Sequence, residues 1–355
     1  MNALLPDPFA ADQPVAAGQH AFSRLTPDVV LDALASVGLY GDGRLMALSS
    51  YENRVYQVTL EDGQRVVAKF YRPARWSRAQ ILEEHAFAAD LMAAEVPAVG
   101  ALELNGQTLH PHAGFEFSVS PWRGGRQPEL DDFEVLEWIG RFLARIHTVG
   151  AARPFVHRPA LDLHSLGSEP HDWLLVHDVI PLDMQSRWRS ACERALSLIG
   201  GHGHPETGPA RLHLKDATVL RLHGDCHPGN ILWTPLDEWG RGGPHFVDLD
   251  DARMGPAVQD LWMLLSGDRR QRTHQLSALI DGYEQFRPFD RRELALIEPL
   301  RTLRLIHYSA WLARRWQDPI FPINFPWFGS SDYWKGQVDM LEEQIEAMQE
   351  EPLSA

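Results

Sequence analysis

The sequence predicts an α+β protein of two lobes, a small lobe with an antiparallel sheet and one main helix, and a larger lobe that is mainly helical. Two observations support this. Strand-forming runs with tight turns dominate before Pro121, and helical periodicity dominates after it. A chain of 355 residues is also too long for one small core. We therefore predict a flexible tail at 1–22, a small lobe at 23–120 and a large lobe at 121–355.

The elements of the small lobe follow from the spacing of apolar residues. Residues 26–38 have an apolar helical face and end at a glycine, which predicts a helix. Residues 54–60 and 65–71 are strand-forming runs joined by the turn Glu-Asp-Gly, which predicts a hairpin. The same criteria predict a helix at 77–94, strands at 101–104, 107–110 and 115–120, and the first helix of the large lobe at 133–148.

Composition narrows the class of protein. The net charge of −15 argues against a general binder of nucleic acid or of anionic membranes. No stretch approaches the roughly 20 apolar residues that span a bilayer, and the N-terminus lacks the features of an export signal. The two cysteines, Cys192 and Cys226, are far apart and suggest no disulfide framework. We expect a cytoplasmic protein that binds neither nucleic acid nor membranes.

The segment 222–230, with the sequence Leu-His-Gly-Asp-Cys-His-Pro-Gly-Asn, carries the strongest functional signal. It places Asp225 five residues before Asn230, and Asp248 follows at the end of an apolar strand. Phosphoryl transfer from ATP uses one carboxylate to orient the attacking hydroxyl, and an amide and a second carboxylate to hold Mg²⁺. The spacing His-x-Asp-x-x-x-x-Asn is that of a kinase catalytic loop, with Gly224 where protein kinases usually carry Arg.

Lys69 is the predicted contact to the ATP phosphates. It lies in an apolar strand, where an unpaired ammonium group has a large desolvation cost, and residues 67–69 resemble the Val-Ala-x-Lys strand of kinases. Kinase chemistry then requires a carboxylate on the following helix to hold the lysine. Glu83 and Glu84 both qualify, and we prefer Glu84 because Leu91 lies on the same side of the helix.

The turn at 49–54 stands where kinases place a Gly-rich phosphate loop. It has no G-x-G-x-x-G pattern, so backbone amides and the side chains of Ser50 and Asn53 are the predicted phosphate donors. Two further residues are predicted to support the catalytic loop. His223 is expected to shape the loop by hydrogen bonds to the backbone, and Asp260 can accept hydrogen bonds from the loop amides, although a plain first-turn acid is an equal alternative.

At this point the chain resembles the bacterial stress response kinase A family. The resemblance is carried by residues 50–57, 67–73, 81–85, 222–233, 246–253, 259–265 and 324–327. It implies a bilobal protein-kinase-like fold of the aminoglycoside phosphotransferase and choline kinase type, and a cytoplasmic, Mg²⁺-dependent serine/threonine protein kinase linked to envelope stress and survival. By this resemblance Asp225 is the active-site acid, Asn230 and Asp248 bind Mg²⁺, and Ser50 belongs to the ATP site.

Our leading hypothesis is a monomeric, ATP-dependent serine/threonine protein kinase that acts on proteins and phosphorylates itself. One alternative is a small-molecule kinase for an aminoglycoside, choline or a homoserine-like acceptor, which would use the same phosphate chemistry. The other is a nucleotide-binding regulatory module without catalysis. The turn at 234–244 is longer than expected for the family, and we interpret it as a surface insertion.

Overall fold

The structure is a computed structural model that describes residues 20–201, 213–235, 237–238 and 242–355. Most of the predicted tail and part of the predicted insertion at 234–244 lie outside these residues. The chain divides into two compact units whose segments alternate along the sequence. The first comprises Met1–Gln127, Phe155–Pro159 and Asn230–Asp250, and the second Pro128–Pro154, Ala160–Gly229 and Asp251–Ala355. The lobe boundary at residue 120 stays a prediction.

The first unit contains a five-stranded antiparallel sheet with the order β1-β2-β3-β5-β4. The strands are β1 (Gly41–Ala47), β2 (Arg54–Leu60), β3 (Arg65–Phe70), β4 (His110–His112) and β5 (Phe115–Pro121). The described part of this unit also contains the helices α1 (Pro27–Ser36) and α2 (Arg78–Ala93). Each helix begins where the sequence provides a cap, since Thr26 and Ser77 accept backbone N–H groups of the first turn.

Alternation along β3 separates the core from the functional face of the sheet. Ala68 and Phe70 are fully buried in a cluster that includes Val30 and Leu34 of α1. Because successive side chains point to opposite faces, Lys69 lies on the other side of the sheet. The sequence of β3 therefore puts one lysine on the face away from the α1 core.

The segment before β5 departs from the predicted strands. The strand predicted at 101–104 is wrong, because only an isolated bridge joins Leu104 to Gln107. Asn105 and Gly106 both have positive φ, at 51° and 74°, so the chain reverses there in a tight turn. The strand predicted at 107–110 is displaced and becomes the short β4.

A second hairpin places the residues around Asp248 in the first unit. It consists of β7 (Ile231–Thr234) and β8 (Gly243–Phe246), numbered after the short β6 (Leu220–Leu222) of the second unit. The N–H of Val99 donates to the carbonyl of Phe246 at 2.9 Å, and Arg126 and Trp233 exchange two backbone hydrogen bonds at 2.9 and 2.7 Å. These bonds fix the hairpin to the rest of its unit.

The second unit is mainly helical and pairs β6 with β9 (Arg253–Gly255). A Cβ at Gly140 would come within 2.1 Å of the Leu279 carbonyl, so this glycine permits two helices to approach closely. No described helix is long and apolar enough to cross a membrane. The helices are α3 (Phe133–Ala151), α4 (Glu169–Val176), α5 (Leu182–Ile199), α6 (Val258–Trp262), α7 (Arg269–Tyr283), α8 (Ile297–Arg314), α9 (Ile320–Asn324) and α10 (Ser331–Ala347).

Candidate active site

Lys69 is held by two carboxylates of the same unit. Its Nζ lies 2.8 Å from Oδ1 of Asp248 and 3.2 Å from Oδ1 of Asp250, and its side chain is 14% exposed. Burial disfavours the charged ammonium group, but Asp248, Asp250 and Glu84 outweigh that cost and hold the pKa of Lys69 well above its usual range. Lys69 is therefore a fixed positive charge that faces Asp248, the predicted metal ligand.

The two adjacent glutamates of α2 have different surroundings. Glu84 is buried, and burial raises its pKa to about 7 against the opposing effect of Lys69 and Arg158. Glu83 instead accepts backbone N–H groups of Val156, His157 and Arg158 and so holds that segment against α2. The structure thus brings Glu84, our preferred partner, into electrostatic contact with Lys69. The role of Glu84 in ATP binding stays a prediction.

Asn230 and Asp248 come together at one end of the β7–β8 hairpin. Ile231 pairs with Phe246, and the N–H of Val247 donates to the Asn230 carbonyl at 3.0 Å. The side chain of Asp248 is 47% exposed, and its backbone has φ of 59°, a left-handed conformation that Asp tolerates better than most residues. An amide and an accessible carboxylate at one hairpin end suit a hard cation such as Mg²⁺.

Ser50 and Asn53 lie in the turn between β1 and β2, as predicted. Their side chains, however, make hydrogen bonds to the backbone of the turn and of Arg72. Asn53 is buried, and its Oδ1 accepts the backbone N–H of Arg72 at 3.0 Å. The hydroxyl of Ser50 donates to the Asn53 carbonyl at 3.3 Å. The Arg72 guanidinium pairs with Glu52 at 2.9 Å and ties β3 to the turn. Their contact with ATP phosphates stays a prediction.

Arg158 is a buried residue that the sequence analysis did not single out. Its side chain is fully buried and donates to the backbone carbonyls of Gln80 at 3.0 Å and Asp250 at 2.7 Å. It also lies 3.5 Å from the carboxylate of Glu84. A third cation, Arg75, pairs with the Asp250 carboxylate. Arg158 therefore connects α2 to the segment that follows Asp248.

We expect Arg158→Met to destabilise the protein by about 3 kcal/mol, because it leaves the buried Glu84 without its guanidinium partner. Arg158→Lys should recover part of this loss, since it restores the charge but not the two carbonyl contacts. Urea unfolding of both variants and of Glu84→Gln, combined in a double-mutant cycle, measures the coupling. A wild-type unfolding midpoint for Arg158→Met would refute the structural role of this contact.

In the second unit, Asp225 contacts two basic side chains. Nη1 of Arg304 donates to Oδ1 of Asp225 at 2.7 Å, and Nε2 of His227 lies 3.5 Å from Oδ2. The Asp225 side chain is 22% exposed, so the carboxylate is partly accessible. Its role as the active-site acid stays a prediction. Sequence reasoning missed Arg304, because α8 lies about 80 residues downstream and offers no local signal.

The backbone of the predicted catalytic loop is held by Asp260. Its two carboxylate oxygens accept the N–H groups of His223 and Gly224, both at 2.9 Å, and His147 lies 3.1 Å away. Burial raises the pKa of this carboxyl, but the hydrogen bonds from His147 and Gly224 outweigh it and hold the pKa below its usual range. These are the contacts expected of a supporting residue. The side chain of His223 is itself fully buried.

Gly224 explains why this loop lacks the Arg of protein kinases. Its φ is 86°, and a Cβ at this position would lie 2.2 Å from the Asp251 carbonyl. Any side chain would therefore push the loop away from Asp251.

We expect Asp260→Asn to lower kcat while leaving the KM for ATP nearly unchanged. The NH₂ group of the new asparagine would face a backbone N–H group of the loop. One buried donor would then be unsatisfied, at a cost of about 2 kcal/mol. Asp281→Asn, an exposed change on α7, is the matched control. Steady-state kinetics with both variants tests whether Asp260 supports the loop. An unchanged kcat for Asp260→Asn would contradict that role.

Comparison with known proteins identifies the family. Residues 45–297 match the phosphotransferase enzyme family. The chain is 48% identical over 332 residues to stress response kinase A of Escherichia coli (strain K12), covering 94% of this chain and 96% of that protein. The chain belongs to the stress response kinase A family. Within this kinase family, it is also 46% identical to the serine/threonine protein kinase RdoA of Salmonella typhimurium, with the same coverage.

Solved structures confirm the predicted α+β kinase-like fold. A microcompartment-associated aminopropanol kinase aligns with a TM-score of 0.65 and 19% identity, covering 91% of this chain and 99% of that one. The amicoumacin kinase hAmiN, solved with AMP-PNP and Ca²⁺, aligns with a TM-score of 0.64 and 17% identity, covering 90% and 93%. Identities this low show the fold alone. The family membership establishes a phosphotransferase of the kinase type.

Proposed function

We propose that this phosphotransferase is an ATP- and Mg²⁺-dependent serine/threonine protein kinase of the cytoplasm that also phosphorylates itself and acts in a stress response. The observation that supports it most is the Lys69–Asp248 ion pair, with the buried Glu84 in electrostatic contact with the lysine. Lysine, helix glutamate and metal-binding aspartate are the parts that a kinase uses to hold Mg²⁺·ATP. That the acceptor is a protein is inferred from the name of a relative, the serine/threonine protein kinase RdoA.

The proposed reaction assigns one task to each residue. Asp225 orients the acceptor hydroxyl and accepts its proton as the oxygen attacks the γ-phosphorus of ATP. The bond from that phosphorus to the bridging oxygen breaks, and ADP leaves. Lys69 balances negative charge on the phosphates, while Asp260 keeps the loop backbone in place.

Asn230 and Asp248 are the residues that would hold Mg²⁺. When bound, the cation neutralises charge on the triphosphate and on the leaving ADP. The oxygen donors at the hairpin end suit this role, as does the accessibility of Asp248. Mg²⁺ normally takes only one or two protein ligands in such sites and completes its shell with phosphate and water.

A small-molecule kinase is the second candidate. Its support is the fold shared with the aminopropanol and amicoumacin kinases, which differ from protein kinases in their acceptors. The phosphate chemistry is the same in both cases. Only the acceptor distinguishes the two proposals.

Transfer of labelled γ-phosphate from Mg²⁺·ATP tests the proposal. Purified protein is incubated alone, with a generic serine/threonine protein substrate, and with aminoglycosides and choline. Asp225→Asn serves as the inactive control. Label on protein that is lost in the variant supports the protein kinase, and label only on a small molecule supports the second candidate. Bound ATP without any transfer would favour a regulatory module.

A further inference from the structure

The charge beside Asp225 bears on the class of acceptor. Arg304 reaches Asp225 with one nitrogen, while its side chain is 44% exposed. A guanidinium group has five N–H donors in a planar fork, so a contact through one nitrogen leaves others for a second anion. An acceptor hydroxyl placed at Asp225 would bring its neighbouring groups close to this guanidinium.

The acidic side chain on α8 does not neutralise the positive charge of Arg304. Glu298 is its single acidic residue, and it pairs with Arg301 and Arg272, both at 3.4 Å. From residue 302 to residue 314 the helix has no carboxylate. Arg314, near the helix end, is paired with Glu169. An ammonium group entering beside Asp225 would therefore find no carboxylate on this stretch of α8.

The surroundings of His307, one turn after Arg304, agree with a cationic region. Burial, and then Arg253, lower the pKa of His307 to about 3. Asp251 opposes this shift, while Arg315 and Arg304 act in the same direction as Arg253. His307 is thus neutral near pH 7, and the local positive charge comes from arginines. Arg253 is itself paired with Asp251 at 2.7 Å, whereas Arg304 lies 2.7 Å from Asp225, beside His227 at 3.5 Å.

We infer that Arg304 is a specificity residue that recognises an anionic group next to the acceptor hydroxyl, so that the preferred acceptor is a serine or threonine in an acidic peptide. This inference rests on the proposed kinase activity. The net charge of −15 would attract cationic acceptors at a distance. Salt screening limits that attraction to about 8–10 Å at physiological ionic strength. The contact with Arg304 therefore determines which acceptor is preferred once the acceptor is bound.

The test compares serine peptides that differ only in the two residues flanking the serine, with Glu, Gln or Lys at both positions. We expect wild-type protein to use the Glu peptide with a kcat/KM about tenfold above the Gln peptide, equivalent to about 1.4 kcal/mol. The difference should arise in the KM for the peptide. Arg304→Gln should abolish the preference, and Arg304→Glu should invert it toward the Lys peptide.

Arg301→Glu is the matched control, because Arg301 lies one turn earlier on α8 with a side chain that is 34% exposed. It should keep the wild-type preference. If Arg304→Gln slows transfer to all peptides equally, Arg304 only positions Asp225 and the inference is wrong. Equal use of all peptides by wild-type protein would overturn the inference but leave the protein kinase intact. Transfer only to polycationic amino sugars, or to no acceptor, would count against both.

Discussion

Asp225→Asn is expected to reduce phosphate transfer by about 10³-fold, because an amide can accept a hydrogen bond but cannot take the proton of the acceptor hydroxyl. The substitution is nearly isosteric, and its oxygen can still accept the hydrogen bond from Arg304. Asp260 holds the loop backbone through two hydrogen bonds that the substitution does not touch, so the fold should persist. Single-turnover transfer with labelled ATP measures the loss.

Two further measurements separate a chemical defect from a structural one. The KM for Mg²⁺·ATP and the thermal midpoint of Asp225→Asn should both stay close to wild type. Asp216→Asn makes the same chemical change at an exposed position nine residues earlier and should be fully active. Activity of Asp225→Asn near the wild-type level would remove Asp225 from its assigned role.

The parts of the fold that sequence reasoning predicted are those fixed by local patterns. The bounds of β2 agree with the predicted strand, and the β2–β3 hairpin forms around the predicted turn. Here the alternation of apolar residues and the turn residues specify the same structure. The segment 101–104 also alternates, with Leu102 and Leu104 on either side of Glu103, but a tight turn follows at Asn105 and it forms only the bridge from Leu104 to Gln107. A short apolar run alone does not determine whether a strand forms.

The candidate site shows the same division between local and distant signals. Lys69, Asp225 and Asp248 belong to motifs with fixed spacing, so the sequence alone is enough to predict a role for each of them. Arg158 and Arg304 act through partners far away along the chain. The ion pair of Arg158 with Glu84 joins residues 74 positions apart, and nothing near either residue indicates it. Such pairings arise only from tertiary packing, which explains why sequence reasoning missed both arginines.

Asp248→Asn is expected to raise the Mg²⁺ concentration required for half-maximal activity by about 100-fold or more, because loss of a direct carboxylate ligand should cost at least as much as the roughly 10–100-fold typical of residues that only support a ligand. Asn is a better test than Ala at this position, because it removes the charge but tolerates the positive φ of 59° without backbone strain. Lys69 keeps Asp250 as a partner at 3.2 Å, so the lysine should remain in place.

Binding of ATP without metal provides a second test, in which the substitution should not weaken the affinity for ATP. In EDTA, Asp248→Asn should bind ATP at least as tightly as wild type, because the substitution removes a negative charge and an ion pair that competes for Lys69. Loss of a group needed only for folding would weaken binding under both conditions. Weaker ATP binding with Mg²⁺ and equal or tighter binding without it would therefore identify Asp248 as a metal ligand, whereas an unchanged Mg²⁺ requirement would exclude it.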